Sequence, residues 1–273
     1  MYLEKMTTSD KLDSLRALLA DAGSAVIALS GGTDSTFLTF IASGITGSRI
    51  MAVTVNTPYM FSSEVKEAAS FCHQLGVEHM EIRMDMLASV IKNPPDRCYL
   101  CKKEVIGVIA GIAVKKGFEN IFDGTNADDL HEHRPGIHAL REKGVRSPLA
   151  ETGLTKDEIR ELSREAGLEV SDRPSNTCLL TRFAHGALIT DIELRMAEEA
   201  ENYIVSLGFQ GSRVRVHGDL VRIEWRKEHL DAMMREETRR KITAALKQMG
   251  YRYITIDTEG YRSGSMDSIT YYK

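Results

Sequence analysis

The stretch Ala25-Val26-Ile27-Ala28-Leu29-Ser30-Gly31-Gly32-Thr33-Asp34-Ser35-Thr36-Phe37-Leu38 decides the fold. Five apolar residues run into Ser-Gly-Gly, and Phe37, Leu38, Phe40 and Ile41 then recur at helical spacing, which reads as strand, tight turn and helix. Gly31 and Gly32 allow a sharp turn and a close ligand approach, and the N–H groups and positive dipole end of the following helix attract an anion. Ser30 and Ser35 add hydroxyl donors. The loop lacks the Lys-Ser/Thr ending of a Walker A loop and the Gly-x-Gly-x-x-Gly spacing of dinucleotide folds, so γ-phosphoryl transfer and dinucleotide binding are not its reading. Asp34 suits a Mg²⁺ contact, the shaping of the loop, or a carboxylate satisfying helix N-terminal donors.

Outward from this turn, Arg49 to Val55 reads as a second buried strand, Ser63 to Leu75 as a helix closed by Gly76, and Val77 to Met84 as a third strand. After Asn93-Pro94-Pro95, the span from Tyr99 to Lys116 carries Val105, Ile109, Ile112 and Ala113 on one face, and Asn120 to Asp123 is strand-like. Thr155 and Glu158 form a capping box ahead of a helix ending near Gly167. This alternation predicts an α/β domain built on a doubly wound parallel sheet. From Ala187 the order becomes helix (Asp191 to Leu207), strands (Arg213 to His217 and Val221 to Trp225), long helix (His229 to Met249) and strand (Tyr251 to Asp257). That order predicts a smaller α+β domain with an antiparallel sheet, so the chain divides into residues 1–186 and 187–273.

At 42% hydrophobic and 27% charged residues, the chain can bury a core and is neither disordered nor fibrous. A net charge of −4 supplies no global basic field, so a nucleic acid is not the expected partner. The first 23 residues read as an amphipathic helix and not as a targeting peptide, and no apolar run reaches the roughly 20 residues needed to cross a bilayer, so a cytoplasmic protein is expected.

Four cysteines are too few for a disulfide scaffold. Cys98 and Cys101 form a C-x-x-C pair at the mouth of a helix, a position that suits a metal ligand or a nucleophile. Cys178 stands in an irregular polar stretch, where exposed functional residues concentrate, and Cys72 sits beside Phe71 in an amphipathic helix and reads as core. Three thiolates suit a zinc site completed by water or an iron–sulfur cluster with one iron open; a purely structural role and a redox C-x-x-C are the alternatives. In the second domain, Arg213 and Arg215 alternate along a strand and project from one face, either to fork a phosphate or to line a solvated surface. Arg182 can meet a carboxylate or a phosphate. Asp128 and Asp129 suit Mg²⁺ or a helix cap, while His131, His133 and His138 lack metal-site spacing, lie beside the helix-breaking Arg134-Pro135-Gly136, and read as loop histidines.

Ser30 to Ser35 resemble the SGGxDS signature of the PP-loop ATP pyrophosphatases, which bind the pyrophosphate of ATP and adenylate a substrate oxygen. Asn93 to Lys102, Asp123 to Asp129, Arg173 to Cys178 and Gly260 to Ser265 narrow the resemblance to the LarE family, the ATP-dependent sulfur transferases of nickel-pincer nucleotide cofactor synthesis. The resemblance implies that ATP and Mg²⁺ are used, with Ser30, Gly31, Gly32, Asp34, Ser35 and Thr125 on the nucleotide. It also implies a pyridinium-3,5-biscarboxylic acid mononucleotide substrate whose phosphate meets Arg213 and Arg215, with Cys178 as the catalytic sulfur-bearing residue; Arg182 is a further substrate-binding candidate. Cys98 and Cys101 depart from the family members that sacrifice a single cysteine, and imply the branch in which Cys98, Cys101 and Cys178 hold a [4Fe-4S] cluster with one open iron. A sulfide donor or cluster-assembly protein and a second copy of the chain are the implied partners. The rival readings are a tRNA thiolation enzyme of the same superfamily, a non-catalytic ATP-binding iron–sulfur sensor, and an ammonia-using synthetase that leaves the three cysteines unexplained.

Overall fold

The structure, a computed structural model, describes residues 6–131, 135–172 and 176–266. Its contacts divide the chain into two compact units.

The first unit spans residues 1–57, 62–85 and 96–173. It contains α1 (Thr8–Ala22), β1 (Ser24–Ala28), α2 (Thr33–Ser43), β2 (Arg49–Asn56), α3 (Ser62–Leu75), β3 (Glu78–Arg83), α4 (Arg97–Lys116), β4 (Asn120–Phe122), α5 (Pro135–Glu142), α6 (Pro148–Glu151) and α7 (Lys156–Glu165). The four strands form a parallel sheet in the order β3-β2-β1-β4, as the βα alternation predicts. Side-chain alternation explains the two helical layers. Ala25 and Ile27 of β1 pack with Leu15, Leu19, Phe37, Leu38 and Ile159 on one face. Val26 packs with Met51, Val53, Ile106 and Ile109 on the other. Cys72 is fully buried with Leu29, Ala52 and Ala68, and burial pushes its thiol pKa up to about 11, so it is a core residue. The Thr155–Glu158 capping box forms as read, and Glu158 also grips Lys11 of α1 at 2.7 Å.

One local expectation is corrected. Pro135 and Gly136 open a helix, α5, where the missing N–H of proline costs nothing in the first turn; Arg134 lies outside the described residues.

The second unit takes residues 58–61, 86–95 and 174–273. Leu179 N–H donates to the Tyr59 carbonyl at 2.8 Å, and Ile189 N–H to that of Ile91 at 3.0 Å. The Asn93 amide donates to the carbonyls of Leu180, Phe183 and Ala184. These bonds draw two short upstream segments into the unit, so the division is not the single cut near residue 186 drawn from the sequence. The unit contains α8 (Asp191–Ser206), β5 (Arg213–His217), β6 (Leu220–Glu224), α9 (Leu230–Met233), α10 (Glu236–Gln248) and β7 (Tyr253–Ile256).

Two expectations for this unit are also corrected. Its sheet, β5-β6-β7, is mixed: β5 and β6 are antiparallel, but β6 and β7 run parallel because a helical crossover returns the chain in the same direction. The single long helix is interrupted where Arg235 takes extended backbone, with Arg239 donating to the Met234 carbonyl across the break.

Candidate functional site

In the first unit, β1 leads to β2 on one side and β4 lies on the other, so the strand order reverses beyond the carboxyl ends of β1 and β4. Open parallel sheets bind ligands at such a point. The Ser30–Ser35 loop leaves β1 there. Gly31 has φ +79°, and a Cβ on it would stand 2.7 Å from the Glu64 carbonyl oxygen, so glycine is required both by conformation and by space. The two serines close the loop: Ser30 N–H donates to Ser35 Oγ at 3.2 Å, the hydroxyls meet at 3.0 Å, and Ser35 Oγ donates to the Gly32 carbonyl. Gly32 caps α2 with no side-chain hydrogen bond, and an anion can lie against that helix start.

The loop after β4 faces the same point. Asn126, fully buried, donates through Nδ2 to Asp34 Oδ2 at 3.2 Å, and Lys156 Nζ approaches the same oxygen at 3.9 Å. Thr125 donates its hydroxyl to Asp123 at 2.6 Å, and Asp123 also accepts from Ser147. Asp128 and Asp129 take capping roles: Asp128 accepts from Lys156 N–H, and Asp129 accepts from Asn126 N–H while its own N–H donates to Asn126 Oδ1. Ser30, Gly31, Gly32, Asp34, Ser35 and Thr125 therefore gather at one end of the sheet. Asn126 and Lys156 join them, although the sequence did not mark either as a site residue. The polar segment after β4 was the available signal for Asn126; Lys156 carried none, being a helix-start lysine that only the fold brings to Asp34.

Cys98 and Cys101 occupy the first turn of α4, one exposed and one half-buried. Tyr99 between them donates its hydroxyl to Glu142 of α5 at 3.0 Å and accepts from Lys103. Cys178, half-buried and unbridged, precedes a short 3₁₀ turn in the second unit. Among the described residues, which include Cys98, Cys101 and Cys178, no group of three or more His, Cys, Asp or Glu is gathered as a metal site. All three cysteines are outside any disulfide and stand at the opening of a helical turn, a donor chemistry that fits iron–sulfur ligation. His131 and His138 are exposed; His133 and Arg173-Pro174-Ser175 lie outside the described residues.

The second unit buries its arginines. Arg182, 0% exposed, forks Glu201 through Nε at 2.7 Å and Nη2 at 2.8 Å, while Nη1 donates to the Thr177 carbonyl and hydroxyl and to Thr181 Oγ1. Burial works against the Arg182 charge, but Glu201 outweighs it and holds the pKa above the usual arginine value. Arg215 donates to Glu224 through Nε and Nη2 and to the Thr181 carbonyl through Nη1. Arg213, also buried, has its pKa lowered by burial first and then by the Arg182 charge. Neither arginine of β5 lines a solvated face. Arg182, Arg213 and Arg215 converge around Glu201 and Glu224, and Arg182 is bonded to the residue preceding Cys178.

Residues 24–95 match the family described as queuosine biosynthesis protein QueC. An uncharacterized protein of Synechocystis is 34% identical over 95% of this chain and 97% of its own length. The pyridinium-3,5-bisthiocarboxylic acid mononucleotide synthase of Lactiplantibacillus plantarum is 32% identical over 97% of this chain and 96% of its own. One of the subunits of the glutamine-hydrolyzing GMP synthase of Archaeoglobus fulgidus is 28% identical over 63% of this chain and 60% of its own. No helix among the described residues is long and apolar enough to cross a membrane.

Proposed function

Because the chain belongs to the LarE family, that of the pyridinium-3,5-bisthiocarboxylic acid mononucleotide synthase, we propose that it is an ATP-dependent sulfur transferase acting on pyridinium-3,5-biscarboxylic acid mononucleotide in nickel-pincer cofactor synthesis. The observation that carries this reading is similarity over nearly the whole of both chains, together with a serine–glycine loop at the sheet's switch point. The substrate carboxylate oxygen attacks the α-phosphorus of ATP, and the bond to the leaving pyrophosphate breaks. Ser30, Gly31, Gly32 and Ser35 hold that pyrophosphate against the start of α2, where fixed donors stabilise the departing charge without reorganising. Asp34, oriented by Asn126, is the carboxylate for Mg²⁺, and Thr125 borders the nucleotide.

A sulfur nucleophile then attacks the acyl carbon and displaces AMP, leaving a thiocarboxylate. Cys98, Cys101 and Cys178 are the ligands for a [4Fe-4S] cluster, which when bound supplies an open iron able to carry a replaceable sulfide. Cys178 is the residue of this set bound up with the arginine cluster, since Arg182 Nη1 reaches its carbonyl at 3.4 Å. The substrate phosphate is taken by Arg182, Arg213 and Arg215, whose three guanidiniums outnumber the carboxylates of Glu201 and Glu224. In this reading the first unit carries ATP, and the second, which includes Arg182, Arg213 and Arg215, carries substrate and subunit contacts. The enzyme works in the cytoplasm, resupplied by a sulfide donor or cluster-assembly protein.

The test is anaerobic incubation with ATP and the pyridinium mononucleotide. Pyrophosphate, AMP and a thiocarboxylate product detected by mass are expected, and absence of pyrophosphate release refutes the reading. Iron and sulfide assays on reconstituted protein decide the sulfur source. A full, stable cluster in Cys178→Ala, or loss of one sulfur from Cys178 during turnover, removes the cluster mechanism.

A further inference from the structure

Asn93 is fully buried, and among the described residues it is the one non-glycine residue at a positive φ, +44°. A side chain strains such a backbone, and the strain persists only where the surroundings hold it. The Asn93 N–H donates to the Val90 carbonyl at 2.8 Å, while the Asn93 carbonyl accepts from Gly186 N–H at 3.2 Å and lies 3.3 Å from His185 Nδ1. Fixed in this way, the side chain meets the segment 180–184. Its Nδ2 donates to three backbone carbonyls, those of Leu180 at 3.1 Å, Phe183 at 2.9 Å and Ala184 at 3.0 Å. Its Oδ1 is also buried and has no hydrogen-bond partner among the described residues, so the amide is used as a donor.

Those carbonyls belong to the turn that opens at Cys178. Cys178 immediately precedes the 3₁₀ turn Leu179–Arg182, its carbonyl accepts from Thr181 N–H at 3.1 Å, and the Leu180 carbonyl accepts from Phe183 N–H at 3.2 Å as well as from Asn93. Arg182 Nη1 reaches the carbonyls of Thr177 and Cys178. A 3₁₀ turn this short makes few good bonds of its own, so its shape is set by the side chains that grip it, Arg182 at its start and Asn93 at its end. Three carbonyl oxygens directed at one buried point need a donor among them. A neutral NH₂ meets that need without burying a charge, whereas a carboxylate in the same place offers acceptors alone. Asparagine is also among the few non-glycine residues that tolerate the left-handed backbone found here.

Resting on the reading of Cys178 above, we infer that Asn93 is the positioning residue that fixes the turn after Cys178 and so holds that cysteine in place for the sulfur-transfer half of the reaction. Its amide does this, and not its backbone conformation alone. The adenylation half, carried by the Ser30–Ser35 loop, does not depend on it.

The experiment is an anaerobic single turnover of the reconstituted full chain with ATP and pyridinium-3,5-biscarboxylic acid mononucleotide, reading pyrophosphate and thiocarboxylate separately, well below each variant's melting temperature. Asn93→Gly accepts the backbone and removes the amide; Asn93→Asp keeps the shape and exchanges donor for acceptor. Both release pyrophosphate within about twofold of the parent, while thiocarboxylate formation falls at least about tenfold in Asn93→Gly and about 100-fold in Asn93→Asp. In the cluster-free chain, iodoacetamide labels Cys178 at least about threefold faster in both variants, because a loosened turn exposes a half-buried thiol, and Cys98 and Cys101 keep their parental rates. A residue that only supplied the left-handed backbone would be replaced equally well by Gly and by Asp, so parental thiocarboxylate yields or unchanged Cys178 labelling in both variants overturn the inference. Equal loss of pyrophosphate and thiocarboxylate marks a merely structural residue and overturns it as well. Parental thiocarboxylate formation by Cys178→Ala overturns the Cys178 reading and this inference with it, whereas loss in Cys178→Ala beside parental yields in the Asn93 variants overturns this inference alone.

Discussion

Glu201→Ala isolates the interaction on which the second unit depends. The Glu201 carboxylate receives both Nε and Nη2 of Arg182 and also the N–H of Val214 in β5, so one side chain joins α8, the turn after Cys178 and the sheet. Truncating it leaves the guanidinium of a residue 0% exposed without its counter-charge. Breaking a buried pair from one side costs about 3–5 kcal/mol. At about 2–4 °C per kcal/mol for a chain of this size, the melting temperature falls by roughly 6–20 °C. The combined Arg182→Met, Glu201→Leu variant removes both charges, and it recovers at least half of that loss, because apolar replacement of a whole buried pair is close to neutral. Differential scanning calorimetry on Arg182→Met, Glu201→Leu and their double measures the cycle, with Glu201→Ala as the truncation. A drop below about 2 °C for Glu201→Ala, or strictly additive losses in the double, refutes the reasoning.

Three further outcomes are expected. Gly31→Ala forces a Cβ toward the Glu64 carbonyl at a positive φ, which lowers the melting temperature through local strain and lowers pyrophosphate release about 100-fold, measured well below that melting temperature, by displacing the loop; an unchanged rate shows that the loop does not bind the nucleotide. Iodoacetamide at about pH 8 labels Cys98, Cys101 and Cys178 in the native, cluster-free chain, and it reaches Cys72 only after denaturation, since burial keeps that thiol protonated; peptide masses showing equal labelling count against its core placement. Burial pushes the Glu158 pKa up, but Lys11 and Thr155 outweigh it and the folded value is depressed. Its stabilisation is therefore present above the unfolded value of about 4.3 and is lost as pH falls through the lower folded value. Urea midpoints between about pH 5 and pH 2 should fall less steeply in Glu158→Gln than in the parent, and parallel curves contradict the assignment.

The parts of this protein that were legible in the sequence are those whose cause is local. The strand–turn–helix at 25–38 follows from apolar run, glycines and helical spacing within a dozen residues, and the Thr155–Glu158 capping box closes over three. The nucleotide loop could therefore be read directly, as could the buried Cys72, whose neighbours Ala68 and Phe71 share its helix.

What tertiary structure alone decided involves partners far apart in the chain. Alternation on β5 pointed to a row of arginines but gave no sign that Glu201 and Glu224 would receive Arg182 and Arg215, or that Tyr261 would lie on Arg213. Burial of a charge depends on everything packed around it, so the same pattern fits a solvated face or a sealed cluster until the sheet is assembled. The parallel return of β7 and the capture of residues 58–61 and 86–95 by the second unit have the same origin. The sequence by itself determined which groups are available, a serine–glycine turn and three thiols outside any disulfide; the fold decided which arginines are buried and which carboxylates receive Arg182 and Arg215.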